Sequence, residues 1–227
     1  MAPLGLIYAV LTAAFTTLSA AVPSFNSAIK CPITIDGHVP HDVNLTTFDT
    51  NASPFNPDYV KGQNLTWSQI IKFPNVSPSK FDIPADKVIE VTIDDRSIFV
   101  PGSATPQVGF RRAGLLLGNG TDATVVGVKT FHWSVKQDLK AKINLTHEYM
   151  NAWHETNDYS ANQFSFNTGV MLAQDHPTDS NATTTALDKR LWKFLDGDND
   201  AIWTTWIDWQ DWQDWQNFAV TVDYVKK

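Results

Sequence analysis

The chain has 227 residues, with 17 Lys and Arg against 24 Asp and Glu, for a formal net charge of -7. No Lys- or Arg-rich tract occurs, so the basic footprint that nucleic acid or an anionic membrane would need is missing, and a neutral polysaccharide suits the chain better than a polyanion. Cys31 is the only cysteine, which excludes an intramolecular disulfide and leaves stability to the core.

Met1 to Ala21 carries no charged side chain, and Leu4–Phe15 is an almost unbroken apolar run followed by the small residues Ser19, Ala20 and Ala21. The run is too short to span a bilayer, so residues 1–21 read as a signal peptide and the mature chain is expected to be secreted, extracellular and free of the membrane. Seven Asn-x-Ser/Thr sequons point the same way: Asn44, Asn51, Asn64, Asn75, Asn119, Asn144 and Asn181. Proline follows the acceptor at Asn51 and Asn75, which leaves Asn44, Asn64, Asn119, Asn144 and Asn181 as the expected glycosylation sites. Residues 22–227 suit one domain with its own core, expected as a monomer.

Residues 22–60, rich in Pro, Asn, Asp and Thr, form an entry segment with one short extended stretch at Ile33–Ile35. Asn64–Phe73 reads as a short helix or a loop crossing. From there period-two patterns dominate: Val88–Ile93, Ser97–Val100, Val108–Leu117, Thr124–Val135, Asn144–His154, Gln163–Leu172 and Phe218–Val225. Long helical periodicity is absent, and many strands separated by turn residues predict an all-β chain, a sandwich or jelly roll. Between the last two strands Trp203, Trp206, Trp209, Trp212 and Trp215 recur every third residue. They read either as a stacking platform for a sugar chain or as a tandem expansion of a tripeptide in a loop.

If Asn144–Glu155 is a regular strand, one face presents His147, Tyr149, Asn151, Trp153 and Glu155. Such a face offers an acid/base candidate, polar hydrogen-bonders and aromatic rings, the mixture that a sugar-binding cleft uses; a solvated outer face is the alternative. Gln163, Ser165 and Asn167 repeat the polar face opposite Phe164 and Phe166. Arg112 shares a face with Gly114, and Arg111 shares the other with Ala113 and Leu115. An arginine in an apolar strand needs a partner, and Glu155 would supply one. His132 lies opposite Phe131, Trp133 and Val135 by parity, either joining the cleft or serving as a hydrogen-bonded strand histidine. Asp94-Asp95-Arg96 reads as an acidic turn. Metal spacing, a Gly-x-Ser-x-Gly elbow and a P-loop do not occur, so neither a metal nor another cofactor is expected.

Several ordered strings are similar to one family. CPITIDGHVP at 31–40, SPFNPDYVKGQNLTWSQIIKFP at 53–74, VTIDDRSIFVPG at 91–102, GFRRA at 109–113, GVKTFHWSV at 127–135 and HEYMNAWHETNDYSANQFSFNTG at 147–169 resemble the catalytic domain of the fungal enzymes of glycoside hydrolase family 131. The resemblance resumes at WQNFAVTVDY, 215–224, and does not take in the tryptophan run. It implies a β-jelly roll acting on β-glucan with β-1,3/1,6 and β-1,4 linkages, and Glu155 as a catalytic carboxyl. It also implies a glutamate after Arg-Arg-Ala as the second carboxyl, where this chain has Gly114, and further strands after 215–224, so that the jelly roll is expected to lack its last strands.

A glycosidase ordinarily needs two carboxyls, one to protonate the leaving oxygen and one to attack or to activate water. Glu90, Glu148, Asp94 and Asp95 are the candidates to stand in. Two readings of the residues therefore stay open: a β-glucanase using Glu155, and a glucan-binding protein with weakened catalysis on the same scaffold. A polysaccharide lyase is a third, against which the acidic composition and the family strings both argue.

Overall fold

The computed structural model describes residues 32–102, 104–117, 122–138, 140–170, 190–198, 201–204 and 214–226. The Cα framework divides at Thr34, and every strand and helical turn lies in the unit Ile35–Lys227. The leader at 1–21, Cys31, Asn119 and Asn181 lie outside the described residues, as do Trp206, Trp209 and Trp212. No described helix is long and apolar enough to cross a membrane.

Among the described residues the chain is all-β, with antiparallel strands and only short helical turns. Its entry segment makes a 3-10 turn at Leu45–Asp49, capped by Asn44, whose side-chain oxygen accepts from the Thr47 N–H. Asn64–Phe73 contains a single helical turn, α1 (Trp67–Ile70), running directly into β1 (Ile71–Lys72). At its start the Gln69 side chain accepts from the Thr66 N–H at 3.0 Å, which satisfies a donor the turn itself leaves free. β1 pairs with β2 (Glu90–Val91), so the expected Val88–Ile93 strand shrinks to two residues.

Trp67, Ile70 and Ile71 join Val39 and Phe48 in a first core, against which Phe55, Ala113 and Leu115 pack. Fully burying side chains of this size contributes about 1.5–3 kcal/mol each, which is why a segment with so little regular structure holds its shape.

Ser97–Val100 and Val108–Leu117 are not ladder strands. The backbone of the second is shared among several partners: Arg112 N–H donates to Ser97, Gly114 N–H to Val60, and the Leu116 carbonyl accepts from Asn56. A single bridge joins Phe55 to Leu117. No one segment runs alongside long enough to form a ladder, so the segment stays extended without becoming a strand.

The second half holds the larger sheets. β3 (Val128–Val135) pairs along its whole length with β8 (Gln216–Asp223), from Val128 opposite Asp223 to Val135 opposite Gln216. The expected Thr124–Val135 strand begins late because Asp122–Val125 is a 3-10 turn. β4 (Glu148–Glu155), β5 (Asn162–Gly169), β6 (Lys193–Asp196) and β7 (Ala201–Thr204) form a four-stranded sheet in that order. No strand was expected from the sequence at 193–196 or 201–204, and β7 contains Trp203.

Trp133, Val135 and Phe218 from the first sheet meet Phe166, Trp192, Ala152 and Phe194 around the second. Phe166 stacks on Trp192 with ring centroids 4.7 Å apart and meets Phe218 edge-on at 4.4 Å. Facing sheets with interdigitated aromatics are the packing of a β-sandwich. Ser165 to Gly169 are all buried, as befits the strand between two neighbours.

Candidate functional site

Period-two alternation does not survive along β4. Met150 pairs with Asn167 but Ala152 pairs with Phe166, so Asn151 is an inserted residue, a β-bulge, and parity changes across it. Trp153 and Glu155 stay together, with Trp153 opposite Ser165. Tyr149 is moved to the face of Ala152 and His154, while Glu148 and Met150 come over to the face of Trp153. A second irregularity falls at Gln163, between the His154–Phe164 and Glu155–Asn162 pairs. The single face of His147, Tyr149, Asn151, Trp153 and Glu155 expected from the sequence is therefore broken.

The Tyr149 hydroxyl accepts from the Asn144 N–H at 2.7 Å, exposed His147 meets the Tyr149 ring edge-on, and the Asn151 amide returns to the Tyr149 carbonyl. These three make a local structure at the start of β4. Asn167 is buried and donates to Glu148 at 2.9 Å. Gln163 is exposed at its bulge. His132 lies on the outer face of β3, with its ring edge-on to Phe81 at 5.2 Å, while Phe131, Trp133 and Val135 face inward as expected. His132 is thus a strand histidine away from Glu155.

Glu155 ends β4, half-buried, and its carboxylate accepts a hydrogen bond from the Tyr59 hydroxyl at 3.4 Å. Tyr59 is 96 residues away in sequence, and its loop accounts for the placement. Asn56 accepts from the Asp58 N–H through its side chain. The Pro57 carbonyl takes both the Trp67 indole N–H at 3.0 Å and the Lys61 ammonium at 2.8 Å. Trp67 is only 1% exposed, so the first core is the anchor of the Tyr59 loop.

The Gly114 N–H then donates to Val60 at 2.8 Å, which sets the two segments side by side. A Cβ placed on Gly114 would lie 2.9 Å from Tyr59 Cε1 and 3.3 Å from Trp153 Cη2. Tyr59 and Trp153 thus close around a backbone that has no side chain. The Tyr59 phenol titrates above its ordinary range, first because it is half-buried and then because the Glu155 charge disfavours a phenolate beside it.

The two arginines separate. Arg111 is exposed and reaches Asp95 at 3.4 Å and the carbonyls of Val108 and Phe110; it does not orient Glu155. Arg112 shares the face of Gly114. Its guanidinium lies 5.6 Å from the Phe99 ring centroid and 5.9 Å from that of Phe110, and its charge is felt at Tyr59, where it favours the phenolate. Among the described residues no carboxylate pairs with Arg112, and stacking of this kind lets a guanidinium sit half-buried.

Beside Tyr59 is a shallow cavity of about 180 Å³ lined by Asp58, Lys61, Gln63, Asn64, Phe99 and Val100 among others. On the other side β4 runs into a tight loop to β5. Asp158 accepts from the Thr156 and Ser160 hydroxyls at 2.7 and 2.8 Å and from the Ser160 N–H. These donors, the Thr156 hydroxyl foremost, hold its carboxyl at about 2. Within this loop Tyr159 adopts φ 59°, in the left-handed region that side chains other than glycine rarely enter. It is 74% exposed and close enough to Tyr59 for one phenol to raise the other's titration.

None of the four carboxylates weighed as a second acid pairs with Glu155. Glu90 faces Lys72, Asp94 is forked by Arg96, Asp95 faces Arg111 and Glu148 faces Asn167. Glu148 is also seven residues from Glu155 along one strand, about 20 Å. Among the described residues one group, His38, Asp82 and Asp86, brings possible metal-ligand atoms within 4.8 Å of one another. Both His38 ring nitrogens are already bonded, one to Asp36 and one to the Phe81 carbonyl. The group is accounted for as a staple between two loops.

Tyr59 and Tyr159 were not among the residues singled out in the sequence. Tyr59 sits within a string that resembles the family but has no local signal for a partner so distant. Tyr159 follows Glu155 by four residues, and only its backbone conformation sets it apart.

The family profile described as the glycoside hydrolase 131 catalytic N-terminal domain matches residues 33–227. The match runs through the tryptophan repeat, which the sequence resemblance leaves out. Comparison with curated proteins gave no match.

Proposed function

The chain belongs to glycoside hydrolase family 131, and we propose that it is a secreted β-glucan hydrolase in which Glu155 is a catalytic carboxyl. The observation that carries this reading is the setting of Glu155: a half-buried carboxylate bonded to Tyr59, on the same strand face as the Trp153 indole, at the mouth of a loop that exposes Tyr159. Aromatic faces stack on the apolar faces of pyranose rings, and a carboxylate between them can attack the anomeric carbon or activate water. Arg112 adds positive charge near the site without neutralising Glu155 directly. β-1,3/1,6- and β-1,4-linked glucans are the proposed substrates. Signal cleavage after residue 21 and glycans at Asn44, Asn64, Asn119, Asn144 and Asn181 belong to the same reading. The side chains of Asn44 and Asn144 accept hydrogen bonds from the threonines of their own sequons through oxygen, not through the amide nitrogen that a glycan would modify.

Incubation of the secreted protein with laminarin, lichenan and cello-oligosaccharides, with product analysis, tests the proposal. Release of shorter glucans is the expected result, and intact substrate in all three would refute hydrolysis.

A second reading is favoured by one observation, the glycine at 114 where the family resemblance implies a carboxyl. A glucan-binding protein with weak turnover would pull down with insoluble β-glucan and release no sugar from it.

A further inference from the structure

We propose that Tyr59 is the positioning residue of Glu155, and that Gly114 belongs to the same device because a side chain there would press on the Tyr59 ring and shift it. This inference rests on the reading of Glu155 as a catalytic carboxyl.

A carboxylate at the end of a strand can rotate, and each rotation presents a different oxygen to a substrate. The Tyr59 hydroxyl donates to one oxygen, Oε2, at 3.4 Å. Among the described residues no hydrogen bond reaches Oε1, the oxygen left to meet the anomeric carbon or a water. At 3.4 Å the bond is long for O–H···O; catalytic hydrogen bonds are often loose in free enzymes and tighten around substrate.

Three features hold the phenol where it is. Its loop is tied to the core through the Pro57 carbonyl, bonded by Trp67 and Lys61. The Gly114 N–H bonds to Val60, the residue after Tyr59. The ring then fills the space beside Gly114, where a Cβ would come within 2.9 Å of it, with Trp153 on the same side. An accidental neighbour of Glu155 would not need all three.

The pairing also explains how a chain with Gly114 can keep a defined Glu155. A side chain at 114 would press on the Tyr59 ring; with glycine there, the ring keeps its place beside the carboxylate. Tyr59 acts through Glu155 and is given no proton-transfer step of its own.

The test has two arms. In the first, Tyr59→Phe keeps the ring and removes the hydroxyl. On laminarin, kcat is expected to fall about tenfold, the size of one hydrogen bond to a charged group, with KM little changed. The wild-type rate should also fall at alkaline pH as the Tyr59 phenol ionises above its ordinary value of 10.0, and that limb should vanish in Tyr59→Phe. Gly114→Ala should lower kcat in the same way by pushing the ring aside, and the double variant should lose no more than either single one.

The second arm needs no catalysis: the Tyr59 phenol is titrated by carbon NMR of tyrosine-labelled protein, in wild type and in Glu155→Gln. Its midpoint should move down in the variant, towards its ordinary 10.0, once the neighbouring charge is gone. Wild-type kcat and an intact alkaline limb in Tyr59→Phe, or an unmoved Tyr59 midpoint in Glu155→Gln, would overturn the proposal. If the wild-type protein releases no sugar, the hydrolase reading fails, and the titration alone decides whether Tyr59 and Glu155 are a pair.

Discussion

The indole N–H of Trp67 donates to the carbonyl of Pro57 at 3.0 Å, and through that bond a fully buried aromatic of the first core fixes the loop that brings Tyr59 to Glu155. Trp67→Phe removes the donor and part of the packed volume. The expected cost is about 2 kcal/mol of stability, with faster amide exchange from Asn56 to Lys61. A variant with full stability and unchanged exchange in that loop would show that the indole does not anchor it.

Gly114→Glu is expected not to raise activity on its own. The new Cβ would meet Tyr59 Cε1 at 2.9 Å, tighter than real contacts allow, so the ring must shift and disturb its bond to Glu155 when the side chain enters. Initial rates on laminarin at or below wild type are the predicted result. A clear gain of rate in this single variant would mean that the site accommodates two carboxyls without displacing Tyr59.

The loop from Thr156 to Ala161 should withstand acid. Asp158 keeps its charge down to about 2 because Thr156 and Ser160 donate to it. Its carboxyl is depressed on folding, so its contribution is complete above the ordinary carboxylate range near 3.8 and is lost as pH falls through about 2. The Ser160 amide resonance should therefore stay at its neutral-pH position at about pH 4 and move only below about 3. Asp158→Asn should show the loosened loop at neutral pH, with weaker binding of laminari-oligosaccharides if Tyr159 stacks on them.

Two histidines should act on stability with opposite signs. His154, between the sheets and bonded to Tyr224, is held below its ordinary 6.5 by burial. The folded state keeps it neutral while the unfolded chain binds the proton, so its contribution is lost as pH falls through 6.5. His38 is held above 6.5, first by the Phe81 carbonyl and then by Asp36. Its contribution is present below 6.5 and lost as pH rises through the elevated value. Melting temperatures of His154→Phe and His38→Gln, followed from about pH 5 to 8, should depart from wild type with slopes of opposite sign; parallel curves would contradict both assignments.

Parts of this arrangement are legible in the sequence, and the reasons are particular. The alternation read over Thr124–Val135 and Phe218–Val225 reports strands with one solvated face, because the greater part of each runs unbroken along the ladder of β3 and β8, Val128–Val135 against Gln216–Asp223. Trp153 and Glu155 read correctly as neighbours because no bulge falls between them. Tyr149 does not, since a single inserted residue at Asn151 reverses every parity before it.

The segment Val108–Leu117 has the composition of a strand, yet its hydrogen bonds go to Ser97, Val60 and Asn56 in turn. Period-two patterning says that a chain is extended, not that it has one partner. Tyr59 could be reached only through a tertiary relationship: a core tryptophan, a proline carbonyl and a glycine whose missing side chain leaves the space.

The central claim is that Glu155 does chemistry, and one comparison bears on it most directly. Reducing-sugar release from laminarin is measured for wild type and for Glu155→Gln, a substitution that keeps size and hydrogen bonding but removes the charge. A loss on the order of 10²-fold or more in kcat, with binding to insoluble glucan retained, is the predicted result, the size that removal of a catalytic acid or base produces. Equal rates for the two proteins would remove Glu155 from the mechanism.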